Sequence, residues 1–216
     1  MLGRPGNNGE TVAAAATSAG SRSLASVAFA LTAAAALAGG GIAAVLAVRG
    51  GFGAGSSVTA LATVLAVVAF AGFGAATAVL VRTDLRERRL PNRLLGVTAA
   101  LFAIPTACAA LLVGQGERVV VGLLAAATGF AAAWVAWRCG AGFGGGDAKL
   151  VPVALFALGW STGADRAVDG GLAGAFGLVA GSAILLLFAR GRRTGLPFGP
   201  VLLGAGWSGI ALVAFG

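Results

Sequence analysis

The chain has 216 residues, of which 58% are hydrophobic and only 10% charged. This composition, with a mean hydropathy of +0.95, excludes a soluble domain and indicates an integral membrane protein in contact with the lipid bilayer. The formal net charge of +8 would suggest nucleic acid as the partner of a soluble chain. Here, however, the basic residues lie in short tracts between apolar segments, where such tracts orient membrane helices, so we expect no nucleic-acid partner.

The chain contains no histidine. Its absence removes the commonest general base, the commonest zinc ligand and every Ser-His or Cys-His mechanism. The two cysteines, Cys108 and Cys139, lie on segments unsuited to pairing and cannot form a zinc cluster, so we expect no disulfide, metal or cofactor. Any acid–base chemistry therefore falls to the carboxylates.

The hydropathy pattern predicts an all-α, polytopic membrane helix bundle. Residues 1–23 are polar and small, without a hydrophobic period, and read as a disordered tail. The next apolar run, 24–48, is long enough for an uncleaved membrane span. Residues 24–216 then form a single membrane domain of about seven transmembrane helices, or six if the first is not a true span. The six further runs are 57–81, 94–113, 118–137, 150–164, 170–189 and 200–215.

The basic residues predict the orientation in the cell inner membrane. A cytoplasmic N-terminus makes the connections 82–93, 138–149 and 190–199 cytoplasmic too. These connections and the tail hold 12 of the 15 basic residues, an asymmetry that the positive-inside rule favours. Trp137 and Trp134 fit an aromatic belt at the membrane interface.

Two of the seven acidic residues are candidates for chemistry. Asp84 directly follows the apolar run 57–81, and Asp147 precedes the run 150–164. The two spans between them leave one membrane face and return to it, so both carboxylates reach the same face. Burial and mutual repulsion oppose ionising two neighbouring acids, so one is expected to hold a proton, as in an aspartic protease dyad. The alternative for Asp84 is a counter-ion to nearby arginines.

The other five acids have simpler interpretations. Glu87 lies among arginines as a solvated ion-pair partner. The rest lie in the tail or in turns on the outer side: Glu10, Glu117, Asp165 and Asp169.

A glycine-rich stretch, "GFGGGDAKL", surrounds Asp147. Its glycines allow turns that are closed to other residues and allow another chain to approach closely. We expect Asp147 to cap a helix beginning at Ala148. The apolar part of that helix, from Leu150 to Ala164, would be only about 22 Å long, shorter than the bilayer core, so Asp147 would lie just inside the membrane boundary.

Three motifs resemble those of the type IV prepilin peptidases, a family of Gly-x-Gly-Asp intramembrane aspartic proteases. They are "DLRERRLPN" at 84–92, "GGGDAKL" at 144–150 and "LPFGPVLLGAGW" at 196–207. The resemblance implies a peptidase-like core at about 57–215 and a catalytic pair, Asp84 and Asp147. It also implies supporting or substrate-binding positions at Gly144, Gly146, Lys149, Pro91, Asn92, Pro197, Gly199 and Pro200.

The resemblance implies that the substrate is a pilin-like precursor, whose basic leader is removed at the cytoplasmic face. Longer family members carry two Cys-x-x-Cys pairs that accompany N-methylation, and this sequence has neither pair. We therefore expect a peptidase without methyltransferase activity, similar to the short forms of Flp or tight-adherence pili. The alternative from another class is a small proton-coupled transporter that uses Asp84 and Asp147 as a proton relay. The position of both acids at span ends favours the peptidase.

Overall fold

A computed structural model describes residues 33–35, 37–46, 56–87, 91–139, 145–164 and 199–215. These residues form six α-helices, which confirms the predicted helical class. The helices are α1 (Ala33–Leu46, with residue 36 outside the description), α2 (Ser57–Glu87), α3 (Asn92–Leu112), α4 (Gly116–Arg138), α5 (Gly145–Thr162) and α6 (Gly199–Phe215).

Three of these helices are long and apolar enough to cross a membrane: α2 over Ser57–Asp84, α3 and α4. The shorter apolar helices α1, α5 and α6 correspond to three other predicted spans. The predicted span 170–189 and the whole predicted tail lie outside the described residues. Within the described part of the chain, every expected apolar run is therefore helical.

Two helix boundaries differ from the expectation, and both concern the candidate acids. Helix α2 continues to Glu87, so Asp84 lies in its last turns instead of following it. Helix α5 begins at Gly145 instead of Ala148, so Asp147 lies inside the first turn and does not precede the helix as a cap. With 18 residues, α5 is about 27 Å long, which is longer than expected. Hydropathy marks where the apolar run ends, whereas backbone hydrogen bonding continues into the polar residues.

An aromatic cluster joins α2, α3, α5 and α6 at the centre of the bundle. Phe70 on α2 packs edge-to-face on Phe102 of α3, with ring centroids 4.9 Å apart, and also contacts Trp160 of α5 at 5.6 Å. Phe73 stacks on Trp207 of α6 at 5.3 Å. The short connection from Glu87 to Asn92 makes α2 antiparallel to α3. The start of α6 at Gly199 lies at Asp84 while Trp207 lies at Phe73, so α2 is also antiparallel to α6.

Two tryptophan side chains supply the polar contacts within this core. The Trp160 indole donates to the backbone carbonyl of Thr106 at 3.1 Å, and the Trp207 indole donates to the Thr77 hydroxyl at 3.1 Å. A buried indole N–H needs such a partner, because leaving it unpaired costs about 1–3 kcal/mol. The two bonds therefore fix α5 on α3 and α6 on α2.

Helices α4 and α5 pack closely through glycines. A methyl group at Gly122 would lie 3.0 Å from the Phe156 ring, and one at Gly159 would lie 3.0 Å from the Gly122 Cα. Only glycine allows two helix backbones to approach this closely. At a second height, a methyl group at Gly129 would meet Val151 and Leu155. Helices α4 and α5 are therefore antiparallel, so α4 ends at Arg138 on the side where α5 begins.

The outer surface of the bundle is apolar, as expected for a protein surrounded by lipid. Large exposed side chains cover the outward faces of α3 and α4, including Leu101, Ile104, Leu123 and Leu124. Trp134 and Trp137 pack on each other near the end of α4, with centroids 5.1 Å apart, and both are exposed.

Candidate active site

Four helix termini meet at one end of the bundle. The last turns of α2 lie there with the first turns of α3, α5 and α6, because α2 runs antiparallel to α3 and α6 while α3 and α5 are parallel. The parallel arrangement follows from two contacts at different heights: Lys149 with Asn92, and Trp160 with Thr106. This end therefore collects parts of all three motifs that the sequence singled out.

Asp84 is the only charged side chain that is buried among the described residues, with 6% of its surface exposed. Its position in a helix that otherwise consists largely of apolar residues places it at the boundary of the α2 span. Burying a carboxylate is costly unless hydrogen bonds or charges compensate. A buried acid at this position is therefore a candidate functional group.

The backbone N–H of Gly199 is directed at the Asp84 carboxylate. Gly199 is the first residue of α6, where backbone N–H groups have no partner within the helix. The Oδ2 atom of Asp84 is also buried, and no hydrogen bond to it is present in the described part of the structure. One side of the carboxylate thus faces the start of α6, and Oδ2 can accept a hydrogen bond.

A second polar contact joins two of the predicted supporting residues. The Lys149 ammonium group donates to the Asn92 side-chain oxygen at 2.9 Å. The two residues lie in the first turns of α5 and α3, so the bond ties these helix starts together at the surface of the bundle. It also brings the Leu-Pro-Asn motif and the Gly-x-Gly-Asp-x-Lys motif into direct contact.

The backbone places Asp147 at the same end of the bundle as Asp84. Asp147 lies in the first turn of α5, two residues before Lys149, and its side chain lies outside the described residues. Gly146 is helical in that turn, and Pro200 follows Gly199 in the first turn of α6. Pro91 immediately precedes α3. Gly144 and Pro197 lie outside the described residues.

The geometry adds two relationships that the residue pattern alone did not predict. Gly199 was a supporting position by resemblance only, and nothing in its local sequence indicates Asp84 as its partner. Likewise, no periodicity connects Asn92 with Lys149. Only their membership of the three family motifs pointed to Gly199, Asn92 and Lys149. These motifs are far apart in sequence but come together in space.

This arrangement provides acid–base groups at an apolar boundary. Asp84 can exchange a proton, and the helix start that carries a second aspartate lies at the same end. In the described residues, no group of three histidine, cysteine or acidic side chains is placed to hold a metal ion.

Comparison with known proteins identifies the family. Residues 71–189 match the Type IV leader peptidase family, and this range contains both Asp84 and Asp147. The chain is also 35% identical, over 127 residues, to the prepilin leader peptidase/N-methyltransferase of Bacillus subtilis (strain 168). That alignment covers 56% of this chain and 46% of the relative, so the chain matches about half of the relative's length. No solved structure gives a significant match. Because the family match extends over more than half of the sequence, the chain belongs to the Type IV leader peptidase family.

Proposed function

We propose that this protein is an intramembrane aspartic endopeptidase that removes the basic leader peptide from type IV pilin-like precursors. The observation that carries the proposal is the buried Asp84 carboxylate, which lies at the bundle end where α5 begins with Asp147. In a chain without histidine, two carboxyl groups can supply both the general base and the general acid for peptide hydrolysis. Family membership supplies the reaction class.

In the proposed reaction, the two carboxyl groups share one proton and hold a water molecule between them. The ionised carboxylate takes a proton from the water as the water oxygen attacks the peptide carbonyl carbon. The protonated carboxyl donates its proton to the carbonyl oxygen, giving a neutral tetrahedral diol. The C–N bond then breaks as one diol hydroxyl proton returns to a carboxylate and the leaving nitrogen accepts the other carboxyl proton. The products are a carboxyl group and an amine.

The location of the site suits a substrate that has both a polar leader and an apolar helix. Asp84 lies at the limit of the α2 span, so a peptide bond at the junction between leader and membrane helix would reach it. The basic residues near the site, among them Arg82 and Arg86, would repel a basic leader. We infer that Asp84, Glu87 or lipid headgroups contribute to leader recognition.

We also infer that the enzyme does not methylate its product and acts on Flp-type precursors. The sequence has only two cysteines, Cys108 and Cys139, and therefore no Cys-x-x-Cys pair. Both are free, exposed thiols, one on α3 and one directly after α4. The named relative is a peptidase/N-methyltransferase, and the alignment covers 46% of it. Incubating purified protein with cleaved precursor and a labelled methyl donor should transfer no label.

The site is proposed to face the cytoplasm. The last turns of α2 and the first turns of α3 flank the predicted cytoplasmic connection 82–93, where five of the arginines lie. The positive-inside rule retains such clusters on the cytoplasmic side. Leader removal would then occur before the pilin domain is assembled outside the membrane.

The decisive test is precursor cleavage by variants of the two acids. Asp84→Asn and Asp147→Asn should each abolish cleavage in cells that co-express a candidate Flp-type precursor, because an amide cannot supply the shared-proton chemistry. The double variant should be no less active than either single variant, since the two groups act as a unit. The shift in precursor size on a gel measures cleavage.

Two acids outside the motifs serve as matched controls. Asp165→Asn and Asp169→Asn remove the same charge and should cleave normally. All variants should reach the membrane at or above the wild-type level, since replacing one of two crowded carboxylates relieves repulsion. Near-normal cleavage by Asp84→Asn or Asp147→Asn, in membranes that contain the protein, would refute the proposed peptidase function and favour a transporter that uses the two acids as a proton relay.

A further inference from the structure

The start of α6 lies beside the buried carboxyl group of Asp84 on α2. Asp84 is more than nine-tenths buried, and the Gly199 backbone N–H is directed at its carboxylate. Gly199 is itself buried and begins a 17-residue helix, so its N–H lies at the positive end of the helix dipole. Oδ2 of Asp84 is buried without a hydrogen bond to the described residues. The two carboxylate oxygens therefore have different surroundings.

We propose that the backbone N–H of Gly199 is the positioning group for Asp84: it holds one side of the carboxylate so that Oδ2 is presented to the attacking water. The proposal rests on the peptidase function proposed above. It gives the Pro-Phe-Gly-Pro stretch a specific task, namely to start α6 at the height where its first N–H meets Asp84. Gly199 acts through Asp84 and is not itself a catalytic residue.

Two physical reasons support a positioning role. A carboxylate on a single methylene group can rotate, and a hydrogen bond from a fixed backbone group limits that rotation. In addition, α6 is anchored on α2 independently of the acid, because the Trp207 indole donates to the Thr77 hydroxyl at 3.1 Å and stacks on Phe73. The Gly199 N–H thus lies on α6, and α6 is fixed to α2, the helix that carries Asp84.

The position also permits a substitution that removes only the donor. Gly199→Pro eliminates the N–H, and proline is tolerated in the first turn of a helix because that N–H has no intrahelical partner. Gly199→Ala is the matched control, since it adds a side chain and keeps the donor. Neither change alters a charged residue near the site; Arg82, Arg86 and Glu87 on α2 and Asp147 and Lys149 on α5 remain.

The test uses a readout that does not depend on cleavage. Dicyclohexylcarbodiimide modifies protonated carboxyl groups in apolar surroundings, and peptide mass spectrometry locates the modification at Asp84. Membranes with the full chain are labelled over a range of pH. Donation from an N–H favours the ionised carboxylate, so Gly199→Pro should be labelled at Asp84 up to a higher pH than wild type, whereas Gly199→Ala should follow wild type. Precursor cleavage should fall about 10-fold or more in the proline variant.

The outcomes separate this inference from the peptidase function. Labelling curves that coincide for wild type and Gly199→Pro would overturn the positioning role, even if Asp84→Asn proves inactive. A shift that Gly199→Ala shares would also overturn it, because bulk and not the donor would then be responsible. If no precursor is cleaved by wild type, the peptidase proposal fails while the labelling comparison still decides whether Gly199 orients Asp84.

A second comparison applies if Gly199→Pro does not accumulate in membranes. Asp84→Asn keeps an oxygen that can accept from Gly199, whereas Asp84→Ala does not, so the alanine variant should unfold at a lower temperature in detergent. Glu87→Gln and Glu87→Ala, at an exposed acid of the same helix, should differ little. Equal unfolding temperatures for Asp84→Asn and Asp84→Ala would overturn the proposal.

Discussion

The close contact of α4 and α5 allows a quantitative test of the fold that supports the site. At Gly159, an added methyl group would lie 3.0 Å from the Ala125 Cβ, from the Gly122 Cα and from the Val121 carbonyl oxygen. Two of these three atoms belong to the backbone of α4 and cannot move as a side-chain end can. Gly159→Ala therefore requires the two helices to separate.

The expected cost follows from the distances. Carbon atoms pack best about 3.5–4.0 Å apart, so relief of the overlap needs a shift of roughly 0.5–1 Å. Such overpacking typically costs about 1–3 kcal/mol of the free energy of unfolding. Gly96 on α3 is the matched control, because a methyl group there would meet nothing within 4 Å. Gly96→Ala should be stabilising by about 0.5–1 kcal/mol, since alanine loses less backbone entropy in a helix.

Thermal unfolding of the purified protein in detergent, followed by tryptophan fluorescence, measures both variants. We expect Gly159→Ala to unfold below and Gly96→Ala at or above the wild-type temperature. The difference between them should be about 1–3 kcal/mol, because the gain of alanine over glycine in a helix is common to both variants. Precursor cleavage should fall in Gly159→Ala, because α5 also carries Asp147 and Lys149. Equal stability of the two alanine variants would refute the inference that backbone contact at Gly159 sets the spacing of α4 and α5.

Three further predictions concern orientation, chemistry and the supporting contact. Reporters fused after Arg93 and Arg193 should be cytoplasmic and one after Arg118 external, as the positive-inside rule requires; a cytoplasmic reporter at Arg118 would separate the two acids across the membrane. Cleavage should depend on pH with a bell shape and should not respond to chelators or to serine and thiol reagents, because carboxyl groups alone share the proton; inhibition by a chelator would contradict this. Lys149→Met should lower precursor cleavage with a loss of only about 0–1 kcal/mol in the free energy of unfolding, since the bond from Lys149 to Asn92 is exposed. Lys149→Arg should retain more cleavage activity than Lys149→Met. Methionine and arginine variants of equal activity would show that the Lys149–Asn92 bond is dispensable.

The sequence determined the class of the protein and predicted the type of its chemistry. Long apolar runs without compensating polar groups can satisfy their backbone in a bilayer only as helices, so the helical bundle followed from hydropathy. The absence of histidine left carboxyl groups as the acid–base groups. Counting the spans between Asp84 and Asp147 placed both at one face, and the resemblance of the surrounding motifs indicated the family that the comparison then confirmed.

Tertiary structure decided where the helices end and which groups meet. Hydropathy could not show that α2 continues past Asp84 or that α5 begins at Gly145, because hydrogen bonding of the backbone does not stop where the side chains become polar. Nor could it show that the N–H of Gly199 meets Asp84, or that Lys149 bonds Asn92 at a separation of 57 residues. Such contacts depend on how the helices pack, and that packing is set by non-local contacts such as the Phe70 cluster and the glycines between α4 and α5.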